Sequence, residues 1–513
     1  METLSIDLFA PGMSPLHRAG LGGLAATLKW IDDKVKGDRR PPGDWSVDDR
    51  QVELRWENSN GAKDFLKRLY ELAFQIDENG LIHLPGSYGN GPPKPEVLAE
   101  LQQGMSLTIL QFGPNRKSDG VALKSYEIDN QTITIQHQKL TGYTHQSEWE
   151  KLVTGKGTLK PHAIISGTIA PGFVQRHVAF PSTTIEQPPG LAIALHFALI
   201  GTLSLAIDRK TGVLLVPDVK DLNLFVRRRG LMTPKSARDC RIASPADAAL
   251  QTQVRLQLTE GAQKLKTDRC LAVLFATKAW NEKQKARASV LDIEPDTTTL
   301  ERFDLAMHTL QARIALTKPT KKGEAPVPFW AESVIRPLVA ENLARDQPWY
   351  QDFRRLVVSP DGSDDAQKVR QLGFEKKGLQ AMVNAHWEDR GEEAIVRSVH
   401  EAMFRRYGMI RDETAGNQTA FNNRADRQMQ RWRLAFAGAK TADDFRKALT
   451  DLWSRSGSNP VLKSSWREVL PLICDEDRWR LARDLALLAL ASYERPVSAP
   501  KDVDSVVEKS TEV

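Results

Sequence analysis

Apolar and polar residues alternate at the start of the chain, where positions 4, 6 and 8 are apolar and the residues between them are polar. This period of two predicts a β-strand, and Pro11-Gly12 predicts the turn that follows it. From Pro15 to Val35 the apolar residues recur at the spacing of an amphipathic helix. Three glycines of this helix would each let another backbone approach closely: Gly20, Gly22 and Gly23.

Helical and strand patterns alternate through the rest of the N-terminal part. Patterns typical of helices cover residues 60–74, 94–104 and 149–153, and strand patterns cover residues 130–138 and 214–216. The apolar run at residues 191–205 has the length of a buried helix rather than of a membrane span. Together these patterns predict a mixture of helices and strands.

The pattern changes after residues 317–328, which are rich in proline, lysine and glycine and predict a connector. A second polar break follows at residues 359–365. From Phe329 to Tyr493 there is no convincing strand. The amphipathic helical patterns in this part cover residues 379–386, 392–407, 423–437, 442–454 and 476–493.

The predicted fold is therefore α+β, in three parts. A mixed α/β N-terminal domain covers residues 1–328, a C-terminal helical bundle covers residues 329–495, and an acidic, disordered tail covers residues 496–513. The chain of 513 residues is longer than one hydrophobic core usually serves, which agrees with more than one domain.

The composition indicates a globular protein, and the net charge indicates the kind of partner that it binds. Apolar residues make up 41% of the chain and charged residues 27%, as in ordinary globular proteins. No stretch approaches about 20 uncharged apolar residues, and the acidic start does not suit a secretory signal, so we expect a cytoplasmic protein that does not bind membranes. The net charge of +6 indicates an anionic partner.

Known catalytic and metal-binding motifs are absent from the sequence. It has no phosphate-binding loop, no Gly-x-Ser-x-Gly elbow, no His-Glu-x-x-His pair and no dinucleotide fingerprint. Cys240, Cys270 and Cys474 are far apart, which supports neither a disulfide framework nor a zinc site. We predict no metal and no cofactor, although a nuclease site could still form from acids that are distant in sequence and meet in the fold.

Amide and basic residues cluster in two neighbouring segments. Residues 111–120 predict a loop, and residues 131–146 predict a polar strand followed by a loop. Asparagine and glutamine pair with adenine edges, and arginine and lysine with guanine, so that this mixture suits the reading of a short duplex motif. The candidate reader residues, for which a plain exposed hairpin is the alternative, are Asn115, Arg116, Lys117, Gln136, Gln138 and Lys139.

Two groups of arginines are candidates for contacts with a nucleic-acid backbone. Arg227, Arg228 and Arg229 are adjacent and cannot share one helix face, so some of them must project outward. The second group recurs at helical spacing beside an apolar stripe: Arg424, Arg427 and Arg431. Either group could follow the phosphates of a strand, and the alternative for both is a solvated surface.

The opening residues carry a family resemblance. A first strand that ends in Pro-Gly-Met13, followed by the helix His17-Arg-Ala-Gly-Leu21, resembles the large subunit of the type I CRISPR surveillance complex, Cascade, in a subtype I-B-like, Myxan-type branch. Weaker similarity covers residues 214–222, 347–353 and 376–407. From the residues alone, His17 and Arg18 are expected to cap the helix or to pair locally.

The resemblance implies a non-catalytic protein that recognises the protospacer-adjacent motif in duplex DNA and helps to open it into an R-loop. The helical C-terminal part would contact the displaced strand. The implied partners are guide RNA, target double-stranded DNA, the backbone, guide-end-binding and small subunits, and a separate helicase-nuclease that acts in antiviral defence. A nucleic-acid hydrolase with a site assembled only in the fold, and a general RNA-binding scaffold, stay open as alternatives.

Overall fold

The chain divides into two compact units, Met1–Trp349 and Tyr350–Val513. The predicted tail at residues 496–513, the polar break at residues 359–365 and most of the predicted connector at residues 317–328 lie outside the described residues. A computed structural model describes residues 2–58, 60–89, 91–128, 130–164, 186–260, 269–276, 287–316, 327–358, 366–385 and 387–494.

The first unit is α+β, as predicted from the sequence. Its helices are α1 (Pro15–Lys34), α2 (Ala62–Ala73), α3 (Pro95–Leu107), α4 (Trp149–Leu152), α5 (Pro189–His196), α6 (Ala198–Gly201), α7 (Leu222–Met232), α8 (Pro245–Glu260), α9 (Thr297–Thr309) and α10 (Arg336–Leu343). Its strands are β1 (Glu2–Asp7), β2 (Asp44–Val47), β3 (Gln51–Trp56), β4 (Gln75–Ile76), β5 (Ile82–His83), β6 (Arg116–Ile128), β7 (Gln131–Tyr143), β8 (Ala163–Ile164), β9 (Glu186–Gln187), β10 (Leu203–Ala206), β11 (Thr211–Pro217), β12 (Cys270–Ala276), β13 (Arg287–Ile293), β14 (Arg313–Leu316) and β15 (Pro328–Ala331).

Helix α1 is buried along most of its length because its glycines let α5 and α6 approach its backbone. A β-carbon built on Gly20 would lie 1.7 Å from the carbonyl oxygen of Ala194, and one on Gly23 would lie 2.5 Å from that of Phe197. Gly22 instead faces an aromatic side chain. The predicted close approach of another backbone is therefore confirmed at Gly20 and Gly23.

The apolar run at residues 191–205 does not form the single helix that its length predicts. Its first residues form the end of helix α5, the next form the short helix α6, and strand β10 begins at Leu203. The amide of Gly201 donates to the carbonyl of Phe197 at 2.9 Å, which closes the last helical turn before the strand. Because all three elements are buried, hydrophobicity alone does not mark the change from helix to strand.

An antiparallel sheet in the order β10-β11-β12-β13 forms the largest strand assembly of the described part of the chain. In β11 the four residues from Val213 to Val216 are all buried, because elements pack on both faces of the strand. Such a strand has a continuous apolar sequence, which explains why residues 214–216 were predicted correctly. Three further strands form a separate sheet in the order β1-β3-β2.

Strand β15 contradicts the prediction that no strand lies beyond Phe329. It pairs antiparallel with β14, so that Ile314 lies opposite Trp330. The segment predicted to connect two domains therefore lies within the first unit, where residues 317–327 separate two paired strands. A strand of four residues is too short to show a clear alternation in the sequence.

The second unit consists of helices, as predicted. They are α11 (Ala366–Phe374), α12 (Lys376–Val383), α13 (Arg390–Glu413), α14 (Gln418–Gly438), α15 (Ala442–Arg455), α16 (Pro460–Ser464), α17 (Trp466–Cys474) and α18 (Trp479–Ser492). Helix α18 is central, with every residue from Leu485 to Leu490 buried and with α12, α13 and α14 packed against it. None of the helices in the described part of the chain is long and apolar enough to cross a membrane.

Candidate nucleic-acid interface

Strands β6 and β7 form a long antiparallel hairpin that carries most of the predicted reader residues. Its register places Leu123 opposite Gln136 and Val121 opposite Gln138, after an irregularity near Ser118. On β7 the side chains at positions 133, 135 and 137 are buried, whereas those at positions 132, 134, 136 and 138 are exposed. The predicted alternation is therefore confirmed, and one face of β7 is presented to solvent.

The predicted reader loop at residues 111–120 is shorter than expected, because β6 already begins at Arg116. Asn115 ends a short 3-10 turn just before the strand, and its side chain is only 5% exposed. Its amide nitrogen is buried and has no hydrogen-bond partner among the described residues. The structure therefore buries Asn115 at the base of the hairpin, which disfavours contact with a base edge, and its role as a reader stays a prediction.

The other reader candidates lie on or beside the exposed part of the hairpin. Arg116 is half-buried and donates a hydrogen bond from Nη1 to Oε1 of Gln138 at 3.2 Å. Partial burial lowers the pKa of Arg116, because desolvation penalises its charge, and no carboxylate of the described residues forms an ion pair with it. Lys117, Gln136 and Lys139 are exposed.

The three adjacent arginines lie on helix α7 but differ in their exposure to solvent. Arg227 is exposed, whereas Arg228 and Arg229 are 5% and 3% exposed. Arg229 donates to the carbonyl oxygens of Ile200 at 2.5 Å and Thr202 at 2.9 Å, and burial lowers its pKa to about 10. Because Arg228 and Arg229 are packed inside the unit, their burial disfavours contact with a nucleic-acid backbone. That contact stays a prediction, with Arg227 as the exposed residue of the three.

Residues of the opening motif form side-chain contacts with distant segments of the chain. The hydroxyl of Ser14 caps α1 and lies 2.7 Å from Nδ1 of His17, whose Nε2 lies 2.9 Å from Oε1 of Gln187. Local capping is therefore confirmed for His17. Arg18 instead places Nη2 2.6 Å from Oδ1 of Asp218, so the prediction that it pairs locally is wrong. These contacts give the motif a structural role.

The predicted basic stripe lies on the exposed face of α14, opposite the stripe that packs into the core. Arg424 lies 3.3 Å from Glu413, and Arg431 lies 3.7 Å from Asp451. Within the described part of the second unit, no carboxylate forms an ion pair with Arg427. All three guanidinium groups are accessible to a ligand. Arg424 and Arg431 would have to give up an acidic partner to bind it, whereas Arg427 would not.

A cluster of titratable side chains around His196 is closed to solvent. Nδ1 of His196 lies 2.7 Å from the hydroxyl of Tyr70, and its Nε2 lies 3.6 Å from Glu148. Burial lowers the pKa of His196 well below its usual value and that of His145 to about 3. Among the residues that the structure describes, no three histidine, cysteine or acidic side chains are placed to hold a metal ion.

Several residues on or beside the hairpin were not predicted as site residues from the sequence. Val121 and Leu123 are 57% and 70% exposed on β6. Arg209, Arg241 and Trp330 come from three other parts of the chain and line a cleft next to the hairpin. No local pattern marks these last three residues, because they become neighbours only through the fold.

Comparison with known proteins covers nearly the whole chain. Residues 5–196 match the DevT N-terminal domain, and residues 383–512 match the DevT C-terminal domain. The chain is 35% identical over 525 aligned positions to the CRISPR-associated protein Cas8a1/Csx13 of Myxococcus xanthus strain DK1622. The alignment covers 96% of this chain and 88% of that relative.

Proposed function

Because the chain belongs to the Cas8-type large-subunit family of CRISPR-associated proteins, we propose that it is the non-catalytic, DNA-reading subunit of a type I surveillance complex, Cascade. It acts in the cytoplasm, where it recognises the protospacer-adjacent motif in duplex DNA and promotes unwinding into an R-loop. The guide RNA supplies the remaining sequence specificity by base pairing. The placement in a subtype I-B-like, Myxan-type branch rests on the opening residues alone.

The partners follow from this role. Backbone, guide-end-binding and small subunits hold the guide RNA beside this chain, and target double-stranded DNA is the ligand that it reads. A separate helicase-nuclease then engages the opened DNA and performs the cleavage in antiviral defence. The proposal leaves bond breaking to that partner, which agrees with the burial of the His196 cluster.

The observation that carries this proposal is the composition of the exposed hairpin. A two-stranded ribbon fits the major groove of B-DNA. Gln136 and Gln138 offer amides that can pair with adenine, and Arg116 and Lys117 offer cations that can pair with guanine or with phosphates. Lys139 adds a further exposed cation at the end of this surface.

The same hairpin offers a means of opening the duplex. Leu123 lies opposite Gln136, and Val121 opposite Gln138, so that exposed apolar groups stand beside the proposed reader amides. Apolar side chains that insert between base steps unstack them and kink the duplex. We assign this step to Leu123 first, because it is the more exposed of the two.

The exposed arginines of α14 are the proposed track for the displaced strand. Arginines at helical spacing on one face can follow successive phosphates without reading bases. Arg227 on α7 is a further candidate for a phosphate contact, because it is exposed and no carboxylate in the described part of the chain forms an ion pair with it.

The proposal is tested with the assembled complex and a set of duplexes that differ only in the candidate motif. The double variant Gln136→Ala/Gln138→Ala should reduce the preference among motifs about tenfold or more, because a bidentate base contact contributes about 1–3 kcal/mol of discrimination. Lys117→Ala/Lys139→Ala should weaken binding to all duplexes equally and reduce its salt dependence.

Lys67→Ala is the matched control, because Lys67 is an exposed lysine of α2 outside the hairpin, and it should leave both properties unchanged. An unaltered motif preference in the glutamine variant would remove the hairpin as the reader. Equal target binding by particles that lack this chain, or metal-dependent cleavage by the purified chain, would overturn the proposed function. Binding to RNA with no preference among duplex motifs would favour a scaffold.

A further inference from the structure

A cleft of about 730 Å³ opens between helix α3 and the β6–β7 hairpin. Gln103 and Ser106 of α3 line one side, and Leu123, Gln136 and Gln138 of the hairpin line the other. The turn between β10 and β11 and the strand β15 complete the lining. The volume is within the range of about 300–1,000 Å³ that is typical of sites for small organic ligands.

The lining combines the three kinds of surface that a nucleotide requires. Leu107, Leu123 and Ile135 supply apolar surface against which a planar base can lie. The amides of the glutamines of α3 and β7 can pair with base edges. Arg116 and Arg209 supply cations for a phosphate.

Several polar atoms of the lining residues lack partners. Nε of Arg116, Nδ1 of His137, Nε of Arg241 and Nε1 of Trp330 are all buried, and none has a hydrogen-bond partner among the described residues. Buried polar groups are normally satisfied by protein, water or a ligand. These atoms lie beneath the surface of the cleft, and a polar occupant would satisfy them once their side chains turn toward it.

The distribution of charge shows where an anion would bind. Arg241 forms an ion pair with Glu100 and lies 3.8 Å from Glu332. Arg116 is hydrogen-bonded only to an amide, and no carboxylate in the described part of the unit forms an ion pair with Arg209. A phosphate would therefore bind at Arg116 and Arg209 rather than at Arg241, whose charge is already balanced by carboxylates.

We propose that this cleft binds one unstacked nucleotide of a single strand, with its base against the apolar wall and its phosphate at Arg116. The inference rests on the proposed function for the source of that nucleotide: a hairpin that opens duplex DNA would present an unpaired nucleotide to the adjacent cleft. Extruding a nucleotide costs stacking energy, which contacts in a pocket can restore. The chemistry of the site is that of a nucleotide, and the experiment distinguishes DNA from RNA.

Photo-crosslinking of the full chain tests this site directly. The probe is a short oligothymidylate with one iodouracil in its centre, and a matched oligouridylate carries the same group. Crosslinks from the DNA probe should map to the peptides that contain His137 or Trp330, and an excess of thymidine monophosphate should suppress them. Crosslinks from both probes only to peptides outside the cleft would overturn the proposal, and cleft crosslinks from the RNA probe alone would assign the site to RNA.

Two variants separate binding in the cleft from general attraction of nucleic acid. Arg116→Ala should weaken oligothymidylate binding about tenfold, which is typical of losing a charged hydrogen bond. Ser106→Phe narrows the cleft on its α3 side without changing charge and should suppress the cleft crosslinks. Lys67→Ala is the control. Wild-type cleft crosslinks in Ser106→Phe, at an unchanged melting temperature, would overturn the proposal.

The crosslinking and motif-preference experiments test the nucleotide site and the proposed function separately. Cleft crosslinks in the purified chain, together with an assembled complex that shows no motif preference, would preserve the nucleotide site and reject the DNA-reading role. A complex with a clear motif preference, but with no cleft crosslinks, would reject the site and preserve the role.

Discussion

The guanidinium of Arg18 lies 2.6 Å from the carboxylate of Asp218, although the two residues are 200 positions apart in the sequence. Arg18 belongs to α1, and Asp218 directly follows β11. Their side chains are 21% and 10% exposed, so both charges are largely removed from water. The ion pair joins the opening motif to residues 214–222, a segment that also shares the family resemblance.

Loss of this ion pair should destabilise the first unit. Arg18→Ala leaves a largely buried carboxylate at Asp218, whose remaining ion pair among the described residues is with the exposed Lys220, 3.5 Å away. We expect a loss of about 1–3 kcal/mol in the free energy of unfolding, because an unpaired charge in a poorly solvated site is costly. A cycle that adds Asp218→Ala should give a coupling energy of about 0.5–3 kcal/mol.

Lys220→Ala is the control for this cycle, and its effect should stay within about 0.5 kcal/mol because exposed ion pairs contribute little. The measurement is chemical denaturation of the full chain followed by circular dichroism. Additive effects of Arg18→Ala and Asp218→Ala would show that the two side chains do not stabilise each other.

Two glycine substitutions should have opposite effects. Gly20→Ala places a methyl group 1.7 Å from the carbonyl oxygen of Ala194, where only backbone movement can make room. We expect a loss of about 3 kcal/mol or more, or failure to fold. Gly408→Ala on the exposed face of α13 meets no atom within 4 Å and should stabilise the helix by about 0.5–1 kcal/mol.

Melting temperatures and soluble yields of the two variants measure this difference. Equal tolerance of alanine at positions 20 and 408 would mean that α1 can move away from α5 without cost. The comparison is well matched, because both substitutions add the same methyl group to a helical glycine. Only the distance to the neighbouring backbone differs.

The sequence predicted those elements whose pattern is local. The alternation around Ile133 and Ile135 identified β7, and the long amphipathic stretches identified the C-terminal helices. It did not show that residues 191–205 contain two helices and a strand, because a fully buried segment is apolar in either conformation. It also missed β15, whose pairing partner is separated from it by residues 317–327.

The placement of charged side chains was the least predictable part of the candidate site. Arg227, Arg228 and Arg229 are adjacent residues of the same type, yet only the first is exposed. Arg229 is buried because the carbonyls of Ile200 and Thr202 accept its hydrogen bonds. The cleft residues were missed for a similar reason, since their proximity depends on packing between elements.

Salt dependence should reveal whether α14 binds the displaced strand. In the assembled complex, Arg427→Ala should reduce the slope of log affinity against log salt concentration for single-stranded DNA by about 0.7, the value for one lost phosphate contact on a single strand. Lys447→Ala is the control, because Lys447 is also an exposed cation but lies 2.7 Å from Asp443. Equal slopes for Arg427→Ala and the wild type would show that Arg427 does not contact a phosphate.

His400 should make the stability of the second unit depend on pH. Its Nε2 lies 3.0 Å from the carbonyl oxygen of Ala489 and 3.1 Å from the hydroxyl of Ser492. Burial lowers the pKa of His400 to about 4, the hydrogen bond to Ala489 opposes this shift, and the positive charge of Lys376 adds to it. The usual histidine pKa, which applies to the unfolded chain, is 6.5.

Between pH 6.5 and about pH 4 the unfolded chain therefore binds a proton at position 400 that the folded chain does not bind. Lowering the pH through this interval favours unfolding, so the stabilising contribution of neutral His400 is present above pH 6.5 and is lost as the pH falls. Because the side chain keeps some contact with solvent, we expect a change of about 2 kcal/mol rather than the full value of the shift.

His400→Gln keeps a donor near Ala489 but does not titrate, so it should remove this part of the pH dependence. The buried carboxyl of Asp484, whose pKa is raised to about 6 by burial, acts in the opposite direction because its folded form retains a proton more readily. The decisive quantity is therefore the difference between wild type and His400→Gln, measured by chemical denaturation across this pH interval. Parallel pH profiles for the two proteins would show that His400 is protonated equally in the folded and unfolded states.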